Sequence, residues 1–159
     1  MKLGRLRLEL AKAGVRPSKS RGQSFLINED VVEREVEAAG VGPDDVVLEV
    51  GPGPGILTRE LCSKAKLVKG VELDPKLIEY IKTHLLPDCP NLELIEGDVL
   101  KMDLPHFDKF VSNVPYNISS PLLFKLMEHP FERAVMILQE EFAMRMGAPP
   151  GLKEYSRLS

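Results

Sequence analysis

The segment NVPYNISSPLLFK (residues 113–125) follows a short apolar run, DKFVSN. It sets a polar amide, a stiff proline and an aromatic ring side by side, where a plain turn needs no such set. The Asn113 side-chain oxygen and a neighbouring backbone carbonyl can both accept hydrogen bonds from an exocyclic amine. Those bonds draw the nitrogen lone pair out of conjugation with its ring and make it nucleophilic. Pro115 restricts the local backbone. Tyr116 offers a ring on which a base can stack, an interaction worth roughly 1–3 kcal/mol. As a lone tetrapeptide, NVPY also fits a capped turn with a packed tyrosine.

Three other segments carry residues suited to binding. EVGPGPG (49–55) is a glycine-rich turn, in which Gly51 and Gly53 let the backbone approach a ligand closely. Its spacing is G-x-G-x-G rather than the G-x-G-x-x-G of dinucleotide enzymes, because position 56 is Ile. Glu72 lies about 20 residues further on, where a carboxylate can accept hydrogen bonds from both hydroxyls of a ribose. The pair favours a nucleoside-containing cofactor over a merely tight turn followed by a solvated acid. Asp98, in EGD, can accept from an adenine amino group, or can form an Asx turn or helix cap.

These residues fall at regular places in the chain. Asn28 can cap a helix over Glu29–Ala39, which Gly40 ends. Short apolar runs predict strands at 46–50, 67–73, 92–95, 107–112 and 134–138. Helices are predicted at 56–64, from Pro75 through His84, from Ser119 or Ser120 through Met127, and at 140–146. Alternating strands and helices mean an α/β fold, Rossmann-like, with a mostly parallel sheet and helices on both faces. In such sheets ligands bind beyond the carboxyl ends of the strands. GPGPG, ELD, EGD and NVPY all fall at predicted strand ends.

The totals are those of a soluble domain. There are 159 residues, 43% hydrophobic and 28% charged, with a net charge of −3. No run approaches the roughly 18 apolar residues of a membrane span, and the N-terminus lacks the apolar stretch of a secretory signal. Cys62 and Cys89 show no CxxC spacing and suit reduced thiols in a cytoplasmic protein. No metal is expected, since His84, His106 and His129 are scattered. Residues 1–22 form a basic arm, in which Lys2, Arg5, Arg7, Lys12, Arg16, Lys19 and Arg21 are opposed by Glu9 alone. Charge by itself suits a solvated tail there, with a phosphate-binding arm as the alternative.

Taken together, GQSFL, VLEVGPGPGILT, VELD, EGDVL, NVPYNISSPLLFKL and YSRLS resemble the rRNA adenine N6-dimethyltransferases that act on small-subunit RNA. The resemblance runs from Pro17 to Ser159. It implies an S-adenosylmethionine-dependent enzyme that methylates two adjacent adenines near the 3′ end of small-subunit rRNA, twice each, in ribosome biogenesis. It also implies roles. Gln23, Ser24 and Leu26 would line the methionine end of the cofactor, with Gly51 and Gly53 in the glycine turn. Glu72 would hold the ribose and Asp98 the adenine amine. Asn113, Pro115 and Tyr116 would receive the target adenine, and Arg16, Lys19 and Arg21 would contact RNA. Ser24 departs from the Asn or His usual in the family and has a shorter reach.

The family fold has seven strands, and five are predicted here. Residues 23–159 therefore read as a C-terminally truncated methyltransferase domain, with the strand that would cover the outer edge of strand five missing. YSRLS reads as the opening of a helix. Two other readings are the related large-subunit rRNA methyltransferases of the antibiotic-resistance type, and a ribosome-assembly or transcription factor that kept the fold but works by binding.

Overall fold

The computed structural model describes residues 28–159 and, before them, Gly4, Leu8, Leu10, Ala11, Gly14 and Val15. Helix α1 (Glu29–Ala39) starts where the Asn28 side chain accepts from the Asp30 N–H at 3.1 Å, and it ends on left-handed Gly40. Strand β1 is Val46–Val50, α2 is Ile56–Lys64 and β2 is Leu67–Glu72. Helix α3 (Pro75–Tyr80) has Pro75 in its first turn and Asp74 as its cap, then widens into a π turn over Ile81–Leu85. Strands β3 (Leu92–Glu96) and β4 (Lys109–Asn113) follow. A 3-10 turn over Tyr116–Ile118 leads into α4 (Ser119–Met127), then β5 (Arg133–Ile137) and α5 (Glu140–Met146).

Several boundaries differ from expectation. β4 begins at Lys109 rather than at 107, because Phe107 turns into the core and Asp108 accepts from the Val46 N–H at 2.8 Å. The strand therefore carries Asn113 as its last residue, in register with Ile137. β5 runs one residue earlier than 134–138. No serine caps α4, because the 3-10 turn runs straight into it and leaves Ile118, not an extended residue, at the cap. YSRLS closes on a turn, with the Ser159 N–H on the Ser156 carbonyl at 2.9 Å.

All four strand pairings are parallel, in the order β3-β2-β1-β4-β5. β1 is central and almost wholly buried, as a parallel strand covered on both faces must be. Its residues alternate between two cores. Val47 joins Val32, Val36, Leu57, Leu61, Val68 and Leu85 on one face. Leu48 and Val50 join Val71, Phe110, Leu122 and Leu126 on the other. Each fully buried Val or Leu contributes about 1.5–3 kcal/mol from burial. Among the described residues β5 is the edge strand beyond β4, and it is only partly buried.

The two cysteines come together. Cys62 on α2 and Cys89 ahead of β3 pack into the same core, and both are free. Burial pushes both thiols up, away from the reactive thiolate. Beside them the Asn91 side chain donates to the Cys62 carbonyl at 2.9 Å, and Arg59 pairs with Asp88 at 2.6 Å.

Among the described residues no helix is long and apolar enough to cross a membrane.

The glycine turn is locked to this core at Gly55, the cap of α2. Its φ is +82°, and a Cβ there would lie 2.6 Å from both methyl carbons of Leu85, which is fully buried. Gly55→Ala therefore meets both left-handed strain and overpacking. It should lower unfolding stability by about 2–3 kcal/mol, read as a shift of the urea midpoint.

Candidate functional site

Strand order reverses between β1 and β4, where a crevice opens in folds of this kind. The two strands pair only through Val47 with Lys109 and Leu48 with Phe110, and beyond that they part. The Ser112 hydroxyl, fully buried, spans the gap and donates to the Val50 carbonyl at 2.7 Å. Past this bridge lies a cavity of about 440 Å³ at the carboxyl ends of the strands.

Gly51, Gly53, Glu72, Asp98, Asn113 and Pro115 all line this cavity. Sequence positions as far apart as 51 and 115 thus meet on one surface. Tyr116 begins the 3-10 turn beside it and is 39% exposed, but is not part of the lining. Gln23, Ser24, Leu26, Arg16, Lys19 and Arg21 lie outside the described residues. Among the described residues no group of three or more His, Cys, Asp or Glu is placed to hold a metal ion.

The glycine turn and NVPY lie side by side. Gly51 takes φ +71°, and its N–H continues the sheet by donating to the Val71 carbonyl at 2.8 Å. A Cβ on Gly51 would sit 3.4 Å from the Pro115 ring, so a side chain there would come into contact with NVPY. The NVPY turn is closed by the Ile118 N–H and the Ser119 hydroxyl, both donating to the Pro115 carbonyl, at 3.1 and 3.5 Å.

Glu72 is 5% exposed. One carboxylate oxygen accepts from the Leu73 and Asp74 N–H groups, each at 3.0 Å, and the other from the Gly53 N–H at 3.4 Å. Burial raises its pKa, these three backbone bonds oppose the rise, and Asp74 adds to it. The Asp98 Oδ1 accepts from the Leu100 N–H at 2.9 Å, so it does form the Asx turn. Its Oδ2 meets only the Lys101 ammonium, at 3.8 Å. Asn113 differs from both: its Oδ1 is buried and has no hydrogen-bond partner. An acceptor in that state costs about 1–3 kcal/mol, which a donor from a ligand would recover.

Sequence reasoning missed two buried acids. Glu49, in the middle of an apolar strand run, is 2% exposed, and Glu35 on α1 is 4% exposed. Both Glu35 carboxylate oxygens and one of Glu49 have no hydrogen-bond partner. Burial pushes Glu35 up to about 7. Burial pushes Glu49 up to about 8, and the Glu35 and Glu72 charges act in the same direction. An acid inside VVLEV was a legible signal. Glu35 on an exposed-looking helix was not.

A carboxyl whose pKa is raised by folding binds its proton more tightly in the native state. Its stability contribution is whole below the ordinary carboxyl value of 4.5 and is lost as pH rises through about 7 for Glu35 and about 8 for Glu49. Thermal melts should therefore give a lower Tm at about pH 9 than at about pH 6, and Glu35→Gln should narrow that difference.

Comparison with known proteins agrees with this geometry. The family model described as "Ribosomal RNA adenine dimethylase" matches residues 15–159. A "Probable ribosomal RNA small subunit methyltransferase A" of Pyrococcus abyssi is 51% identical over 155 residues, which is 98% of this chain and 57% of the relative. The chain thus spans little more than half the length of that relative. A solved dimethyladenosine transferase from Plasmodium falciparum superposes with TM-score 0.78 at 42% identity, over 85% of this chain and 50% of that one. The solved 23S rRNA methyltransferase ErmE superposes with TM-score 0.70 at 38% identity, over 77% of this chain and 50% of that one. A Rossmann-like methyltransferase fold, an acid-lined cavity where the strand order reverses, and a family match over nearly the whole chain agree: the chain belongs to the ribosomal RNA adenine dimethylase family.

Proposed function

We propose that this chain is the catalytic portion of a cytoplasmic enzyme that dimethylates the N6 amines of two adjacent adenines near the 3′ end of small-subunit rRNA. The observation that carries this reading is the buried, unpartnered Asn113 Oδ1 beside the cavity. It is an acceptor held without a donor where a base amine can supply one.

The charge of the cavity supports S-adenosylmethionine as cofactor. Glu72, Asp74 and Asp98 line it, and no Lys or Arg does among the described residues. A pyrophosphate would find no cation there, whereas a sulfonium compound with an ammonium group suits three carboxylates. When bound, the cofactor supplies an electrophilic methyl group. Glu72 Oε2, which accepts a single backbone bond, keeps a lone pair for a ribose hydroxyl, and Asp98 Oδ2 is placed to accept from an adenine amine. Asn113 Oδ1 and the neighbouring Val114 carbonyl accept from the target amine, since the Pro115 carbonyl is already engaged. Both acceptors favour the positive charge that develops on the nitrogen as it attacks. No general base is needed before attack, because the amine becomes acidic once alkylated.

A second reading, methylation of large-subunit rRNA, is kept by the likeness to ErmE. The small-subunit reading is preferred because the more similar relative carries that name. Labelled methyl transfer to isolated small and large subunits, with the modified base mapped, separates the two. Label confined to the large subunit would overturn the preferred reading.

Glu72→Ala should weaken cofactor binding by roughly 1.5–3 kcal/mol for each ribose hydrogen bond lost. Asn113→Ala should cut methyl transfer by two or more orders of magnitude, about the worth of one transition-state acceptor, and change cofactor affinity little. Calorimetry and single-turnover rates on the full-length protein read the two effects separately. For the arm, neutralising Arg16, Lys19 and Arg21 together should weaken RNA binding and flatten the slope of log K against log salt by roughly 2–3.

A further inference from the structure

Lys125 lies on α4, the helix that continues directly from the NVPY turn. Its ammonium does not point to solvent. It reaches the segment after β3 and donates to the Val99 carbonyl at 2.8 Å and to the Met102 carbonyl. That segment is one tight turn. The Lys101 and Met102 N–H groups both donate to the Asp98 carbonyl, at 2.9 and 3.2 Å, and the Asp98 side chain caps the turn through Leu100. Its apolar residues, Val99, Leu100 and Met102, pack with Leu122 and Leu126 of α4 in one core. Apolar packing of this sort tolerates sliding. The ammonium gives the seam a register, because two carbonyls converge on one charge with directional bonds.

We propose that Lys125 is a positioning residue for adenine recognition, which holds Asp98 in register with the NVPY turn by bridging the carbonyls of the turn that Asp98 caps. The proposal rests on reading the cavity as an S-adenosylmethionine site. The acid that reads the cofactor base and the amide that receives the target base then belong to one rigid unit, and a displacement of either end by about 1 Å degrades recognition at the other.

The test is selectivity rather than activity. The full-length protein is titrated calorimetrically with S-adenosylhomocysteine and with S-inosylhomocysteine, in which a carbonyl oxygen replaces the purine amine. Wild type should prefer the amine-bearing ligand by at least about 10-fold, the worth of the Asp98 bond. Lys125→Met keeps most of the stem but removes the charge, and should reduce the preference to about 3-fold or less. Lys125→Arg, which still donates, should restore it. A merely structural lysine would lower Tm and weaken both ligands equally, leaving the preference intact. An unchanged preference in Lys125→Met therefore overturns the proposal. Should Lys125→Met not fold, Lys125→Arg and Lys125→Gln decide: preference kept in Arg and lost in Gln supports the proposal, and equal preference in both overturns it. If wild type binds neither ligand, the cofactor reading fails and this proposal fails with it. If wild type binds and discriminates but Lys125→Met does so equally, this proposal fails alone.

Discussion

The parting of β1 from β4 is the constraint on which the site depends. Two residue pairs join these strands, and then the ladder stops. A parallel sheet that stayed paired to its carboxyl end would leave no crevice. One that parted without support would leave backbone groups unpaired in a dry interior, at about 1–3 kcal/mol each. Ser112 resolves the conflict with a single buried hydroxyl on the Val50 carbonyl. It keeps the strand ends close enough that the Gly51 turn and the Pro115 ring lie side by side, yet far enough apart to leave a cavity.

Around that opening the molecule carries polar groups that a maximally stable core would avoid. Glu35 and Glu49 are buried with unpartnered carboxylate oxygens, and Asn113 Oδ1 is buried without a donor. Burying a charge without a partner is unfavourable, so the two acids hold protons at higher pH than usual. The molecule also places Glu72 among three backbone N–H donors, which keep that carboxylate in place while burial works against its charge. Glu49 and Asn113 stand at or next to the carboxyl ends of their strands, and the positive-φ Gly51 and Gly53 come just beyond β1. At the opposite end of the sheet, groups are paired: the Lys109 ammonium bonds Asp45 at 2.7 Å and also donates to the Gly40 carbonyl. Such a distribution is expected where one end of a fold is kept for binding and the other for stability.

Much of this was written in the chain itself. The five strands were legible because a parallel strand buried on both faces must be a short apolar run, and VVLEV is one. The α1 caps, Asn28 and Gly40, were legible because cap chemistry is local. That the glycine turn, Glu72, Asp98 and NVPY fall at strand ends was legible too, because strand positions were, and these segments line one cavity. Tertiary structure decided the rest. The start of β4 at Lys109 follows from where Phe107 packs, and the uncapped start of α4 follows from the 3-10 turn before it. Cys62 and Cys89 appeared unrelated, yet both pack into one core, because a helix and a loop 27 residues apart fold onto it. Glu35 lies on a helix whose sequence reads as solvent-facing there, and only packing buries it. Nothing in the local sequence around Lys125 says that two carbonyls from another loop will converge on it. Local chemistry determines which groups a chain can offer. Their burial and partners depend on distant segments, and only the folded structure brings those together.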